Sequence, residues 1–273
     1  MLSDITFGQY YPASSFVHKM DARIKLLALI AYIVLIFVVK NFYGFLVVYG
    51  VLLFATMLSK VPIASLLKSA TAVVFIILLT FILNIFFYKT NNPTYIFWII
   101  TKEALEFSAF MALRLLALVF FSMLLNLTTT PVALTDGIES LLNPLKVIKF
   151  PVHELALVMS IALRFIPILM GEADRIIMAQ KARGADFESG NLIKRAKAML
   201  PVLIPLLISS FRRAEELGDA MDSRCYSSSS SRTKFRKLKA GWRDLVAVLF
   251  TAMVFTAVIL LNNYVGGLIW EFF

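Results

Sequence analysis

Long unbroken apolar runs constrain this chain more than anything else in it. They fall at about Ile24–Val39, Phe42–Leu58, Ala70–Tyr88, Phe107–Leu127 and Leu245–Leu268. A helix needs roughly 20 apolar residues to cross a bilayer, and these runs come close to that or exceed it. In lipid only helices and closed barrels satisfy every backbone polar group. A barrel strand alternates apolar and polar residues. These runs do not, so the spans are expected to be helices. Only 16% of residues are charged and 60% are hydrophobic, against about 25% charged in a soluble domain. The expected fold class is all-α: a polytopic membrane protein with about five transmembrane helices.

Charge sets the orientation. The formal net charge is +10, and seventeen of the 27 Lys and Arg fall in residues 128–240. A long basic region is cytoplasmic by the positive-inside rule. Lys19, Arg23 and Lys25 place the N-terminus on the same side. Four crossings then return the chain to the cytoplasm before the basic region, and a fifth leaves the C-terminus outside. Trp242 and Trp270 bracket the last span. Their separation corresponds to roughly 42 Å of helix, the thickness of a bilayer with its interfaces. The organisation expected is an interfacial segment (1–23), a four-helix membrane region (24–127), a cytoplasmic region (128–240) and a last membrane helix (241–273). The basic residues are interleaved with apolar helix, which argues against nucleic acid as a partner.

Residues 128–240 hold the unusual features. Thr128-Thr129-Thr130-Pro131 stops the fourth span. An amphipathic segment follows, with Leu134, Ile138, Leu141, Leu142 and Leu145 on one face and Pro144 interrupting it. From Pro151 to Pro167 the chain is apolar but carries Arg164, too short and too charged for a comfortable span. Beyond Pro167 it becomes amphipathic, with Glu172, Asp174, Arg175 and Lys181 on the polar side, and it ends at Ala182-Arg183-Gly184. A second arm repeats the design. It is apolar from Met199 to Phe211, with Pro201 and Pro205, then charged up to Ser223-Arg224-Cys225.

An arginine at a helix end, framed by small residues, has two readings. It serves the helix dipole, or it enters a groove on a partner and pairs two-pronged with a carboxylate. Two such tips on two similar helices favour a paired docking device. Arg114, inside the fourth span, is either a functional charge or a structural one pairing with a neighbouring helix. Asn84 and Asn126 are expected to make interhelical hydrogen bonds. After the serines at 227–231, the basic cluster Arg232, Lys234, Arg236, Lys237 and Lys239 reads as a lipid anchor, with partner contact as the alternative. The methionines of the arms either pack or adapt to differently shaped partners.

Much chemistry is not encoded. The single cysteine, Cys225, excludes an internal disulfide and argues against structural zinc. No Gly-x4-Gly-Lys-Ser/Thr loop appears, so ATP hydrolysis is not expected here. His18 and His153 read as structural. Residues 1–20 lack the apolar core of a cleaved signal peptide.

The residues do resemble a known family. Ala162-Leu163-Arg164-Phe165-Ile166-Pro167, Glu172 and Ala179-Gln180-Lys181-Ala182-Arg183-Gly184 closely resemble the transmembrane T component of energy-coupling factor (ECF) transporters. So do Ala214-Glu215-Glu216 through Arg224, His18, Asp21, Arg23 and Lys25, the Thr128–Pro131 turn and Pro151-Val152-His153-Glu154. The similarity covers nearly the whole chain. It implies an L-shaped platform with long cytoplasmic coupling helices, and a non-catalytic subunit of an ATP-driven importer in a prokaryotic cell membrane. ATP and Mg would sit on two partner ABC-type ATPase subunits, with no cofactor or metal on this chain. Ala182, Arg183, Gly184, Ser223, Arg224 and Cys225 would dock into them. Met159, Leu163, Met170, Ile177, Met199, Leu203 and Leu207 would help form the platform for a substrate-binding S component that carries a vitamin or metal ion. The second tip departs from the family's usual Ala-Arg-Gly, and Cys225 lacks a glycine's conformational freedom. The alternative is a conventional ABC permease subunit that binds its own substrate, and a third class is a lipid or protein scaffold without a transport role.

Overall fold

A computed structural model describes residues 10–88, 95–97, 100–148, 150–187, 191–226 and 241–265. Residues 1–9, Asn91-Asn92-Pro93, whose residue types read as a turn signal, the serine run with its basic cluster, and Trp270 lie outside the described residues. The fold is all-α. The helices are α1 (Ala22–Val38), α2 (Phe42–Ser59), α3 (Ile63–Phe87), α4 (Lys102–Thr128), α5 (Pro131–Leu142), α6 (Val152–Ala182), α7 (Leu192–Ser223) and α8 (Trp242–Val265). A short antiparallel hairpin, Tyr95–Phe97 with Ile100–Thr101, precedes α4. A 3-10 helix, Asn143–Ile148, follows α5 where Pro144 ends the regular pattern.

Several boundaries differ from the expectations. α3 begins at Ile63 rather than near Ala70, so the connection around Lys68 is already helix. α4 begins at Lys102, capped by the Thr101 hydroxyl, which accepts from the Ala104 N–H at 3.2 Å. The run from Pro151 to Pro167, expected to be too short and too charged to span, belongs to α6, which continues through Pro167. This helix runs unbroken for 31 residues and so has the length and composition to cross a membrane, as do α2, α4 and α8. α1 is shorter at 17 residues, and the apolar part of α3 is Val73–Phe87.

The chain divides into two compact units. One comprises residues 8–141 and 238–273, the other residues 1–7 and 142–237. In the first, α1, α4, α2 and α8 contact one another in that cyclic order and close a ring, with α3 against α4. Leu35 and Ile36 of α1, Phe45 and Val48 of α2, Phe110 and Ala117 of α4, and Val254 and Val258 of α8 fill it. The Phe45 ring meets Phe110 edge-on at 4.7 Å, and Tyr32 stacks on Phe121 at 4.7 Å. Within a bilayer such contacts work through packing rather than exclusion of water. α5 lies close on α1 at Gly137, where an added Cβ would stand 3.2 Å from the Ala22 Cβ.

Polar groups tie the helix ends. The Asp21 carboxylate accepts from the Arg23 N–H at 3.0 Å and caps α1. The Lys25 ammonium donates to the Thr128 carbonyl at 2.8 Å and the Thr129 hydroxyl at 3.2 Å, placing a cation at the C-terminus of α4, where the helix dipole favours it. Buried Asp244 accepts from the Asp21 N–H at 2.9 Å and the Gly241 N–H at 2.7 Å. At the far end of α1, the Asn262 amide donates to the Val38 carbonyl at 2.8 Å and Arg114 donates to the Val39 carbonyl at 3.3 Å. These carbonyls would otherwise have no partner in lipid. Arg114 also lies over the Phe110 ring at 5.0 Å. Its structural reading is therefore favoured. Among the described residues Asn84 and Asn126 make no side-chain hydrogen bond; Asn262 fills the interhelical role expected of them.

Candidate functional site

The second unit is built on the two arms, α6 and α7, packed against each other. Their contact is polar where the sequence turns charged. Glu172 of α6 accepts from the Ser209 hydroxyl at 2.5 Å and from the Arg213 guanidinium at 2.8 Å. Both Glu172 and Arg213 are half-buried. A charge-assisted hydrogen bond of this kind is stronger than a neutral one and fixes the register of its helices.

That register has a consequence for the tips. Glu172 and Arg213 are 41 residues apart, the same separation as Arg183 and Arg224. Each arm therefore extends eleven residues past the tie to its arginine, about 16 Å of helix. The two lever lengths are equal.

The tips share one backbone geometry. Arg183 and Arg224 are the C-cap residues of α6 and α7. In the first tip the Gly184 N–H donates to the Lys181 carbonyl at 3.0 Å and the Ala185 N–H to the Gln180 carbonyl at 3.0 Å. In the second, the Cys225 N–H donates to the Asp222 carbonyl at 2.9 Å and the Tyr226 N–H to the Met221 carbonyl at 2.9 Å. This paired pattern is the Schellman motif, which needs a left-handed residue just past the cap. Gly184 takes φ +87° and Cys225 takes φ 53°. The exit expected to be in doubt at Cys225 is thus the same as at Gly184, held by a residue that pays strain to adopt it.

Ala182, Arg183, Gly184, Ser223, Arg224 and Cys225 are all exposed. Among the described residues neither tip guanidinium has a hydrogen-bond or ion-pair partner. The Ser223 hydroxyl donates to the Asp219 carbonyl at 2.7 Å, which leaves it bound to its own helix.

The apolar residues named for the platform separate. Met159, Met199, Leu203 and Leu207 are exposed, whereas Leu163, Met170 and Ile177 are half-buried. The larger exposed surface is on α7: Leu200, Leu203, Ile204, Leu207, Ile208 and Phe211. Their spacing of three and four residues puts them on one stripe. A contiguous bare apolar stripe marks an interaction surface or lipid contact. Leu200, Ile204, Ile208 and Phe211 fall within the apolar run from Met199 to Phe211 that the sequence marks. The Glu172–Ser209–Arg213 tie was missed, since no local pattern pairs residues on separate helices.

Comparison with known proteins adds the lineage. The family model described as cobalt transport protein, CbiQ, matches residues 13–235. An energy-coupling factor transporter transmembrane protein, EcfT, of Clostridium kluyveri is 47% identical over 98% of this chain and 100% of its own length. The proteins of the same description from Ruminiclostridium cellulolyticum and Bacillus subtilis are 45% and 41% identical. They align over 96% and 95% of this chain and over 98% of their own lengths. With apolar helices able to cross a membrane, two matched arginine-tipped arms and relatives alike from end to end, the chain belongs to the CbiQ family, among the transmembrane proteins of energy-coupling factor transporters.

Proposed function

We propose that this chain transmits mechanical work between partner proteins: two cytoplasmic ABC-type ATPase subunits and a membrane-embedded S component that carries a vitamin or metal ion. Arg183 and Arg224 dock into the ATPases, and the apolar stripe of α7 with the exposed apolar residues of α6 holds the S component. ATP and Mg are bound and turned over on the partner chains. The observation that carries the reading is the pair of exposed Schellman-ended tips, at equal distance from one Glu172–Arg213 tie. A movement imposed on one tip is passed to the other arm through that tie.

The orientation proposed is N-terminus cytoplasmic and C-terminus outside, in the cell membrane. Its support is the distribution of cations. The starts of α1 and α8 and the ends of α2 and α4 line one common cavity and so lie on one side. Lys19, Arg23, Lys25, Lys60 and Arg243 belong to that side, the cytoplasmic one by the positive-inside rule.

The test is copurification of Arg183→Glu and Arg224→Glu variants with the ATPase subunits, alongside vitamin uptake. Losing one partner of a desolvated charge pair costs about 2–5 kcal/mol. Each variant is expected to weaken the complex, and the double variant to abolish uptake while leaving the chain in the membrane. An intact complex with undiminished uptake would refute docking through the tips.

A further inference from the structure

The four-helix ring is filled at one end only. At the other it encloses a cavity of about 410 Å³ between the start of α1 (Lys25, Leu29, Tyr32), the end of α2 (Val51–Leu58), the end of α4 (Phe121–Thr128) and the start of α8 (Val246–Thr251). The Tyr32–Phe121 stack closes it towards the packed core. Phe16, Val17 and Met20 of the N-terminal segment line the side towards headgroup level.

Its lining hardly asks for a polar ligand. Thr128 and Thr251 donate their hydroxyls to carbonyls of their own helices, at 2.7 and 2.8 Å, and Lys25 is spent on α4. The space is also open. Phe54 and Leu58 on α2 and Val246 on α8 line it and are exposed, so a portal lies between those helices. The Phe54 and Phe250 rings touch between the two helices with centroids 5.5 Å apart, and the opening lies beside them, at Leu58 and Val246. An apolar cavity inside a soluble protein stays empty, but one opening sideways into a bilayer faces hydrocarbon.

The rim supplies the second observation. Lys60 ends α2 two residues past Leu58, and Arg243 precedes Val246 by one turn on α8; both are exposed. Arg243 lies over the Phe16 ring at 5.9 Å, at the mouth of the cavity. Asp244, the one acid beside them on either flanking helix end, is buried and holds two backbone N–H groups. The portal is therefore apolar inside and cationic outside. We propose that the cavity takes one acyl chain of an anionic phospholipid, whose headgroup is held by Lys60 and Arg243. Such a lipid wedges α2 and α8 apart at one end of the ring and tunes how rigidly the bundle holds the first and last helices together.

The test uses the full chain in nanodiscs of phosphatidylglycerol and phosphatidylethanolamine. Native mass spectrometry after mild detergent release is expected to show one retained phosphatidylglycerol, favoured about thirtyfold over phosphatidylethanolamine, the attraction that two cations near the membrane surface supply together. Lys60→Gln with Arg243→Gln should erase the preference and keep a bound lipid. Ala55→Phe with Ala247→Phe, which fills the cavity, should remove the lipid. A wild-type measurement guards against misfolding of that variant. Phosphatidylglycerol carrying a photoactivatable group near its acyl end should label Leu29, Tyr32 or Phe121. No retained lipid, retention unchanged by filling the cavity, or label confined to outward residues such as Leu53 and Leu249 would each overturn the proposal.

Discussion

Cys225 shows how much one residue can be asked to do. A Schellman exit needs a left-handed residue, and an L side chain adopts that conformation at a cost of roughly 1–2 kcal/mol. Replacing Cys225 by Gly is expected to stabilise the chain by about 1 kcal/mol, read as a rise in thermal midpoint, with uptake kept because Arg224 stays at the cap. His18 is the second case. Its ring accepts from Ser15 at 2.7 Å through Nδ1 and donates to the Tyr11 carbonyl at 3.0 Å through Nε2. Burial holds its pKa below the ordinary histidine value. Above about pH 6.5 the ring is neutral in both folded and unfolded chains, and its contribution is complete. As pH falls below that value the unfolded chain takes up the proton first, so stability drops until the folded ring protonates too. Melting midpoints between pH 7.5 and 5.5 should decline, and His18→Gln should flatten the part due to this ring. The sequence marked both positions as notable, but neither the φ of Cys225 nor the partners of His18 can be read from residue types.

At the scale of elements the two arms were legible as far as their arginines, because a helix end framed by small residues is a local pattern. Pro167, Pro201 and Pro205 were expected to kink the arms without ending them, and each sits inside a continuous helix. A proline removes one helix hydrogen bond and clashes with one carbonyl; helices of 31 and 32 residues have enough remaining bonds to continue. The tie between the arms makes its own prediction. Glu172→Arg or Arg213→Glu alone should uncouple the tips and lower uptake roughly fivefold or more, the scale of a typical coupling energy. The exchanged pair, Glu172→Arg with Arg213→Glu, should recover part of the loss. Copurification of the ATPases measures the other side: the tips are untouched, so binding should persist while transport fails. Equal losses in the single and exchanged variants would show that the tie does not set the register.

For the whole molecule, the decisive contacts join the two ends of the chain. Asp21 and Asp244 are 223 residues apart, and Val38 and Asn262 are 224. These contacts hold α1 to α8 at both ends and close the ring. Asp244→Ala would take the acceptor from the part-buried N–H groups of Asp21 and Gly241 and should cost about 2 kcal/mol, measured as a fall in midpoint of the purified chain; Asn262→Leu should cost less, since it touches one carbonyl and one N–H. The all-α membrane class and the arginine tips follow from residue types alone, because apolar run length and helix-end chemistry act over a few residues. Which helices neighbour each other, where Glu172, Arg114 and Asn262 find partners, and why a cavity remains under Tyr32 emerge only once the helices are packed. These depend on side chains meeting across distant segments, and in lipid no periodic polar face announces which side of a helix will be the inner one.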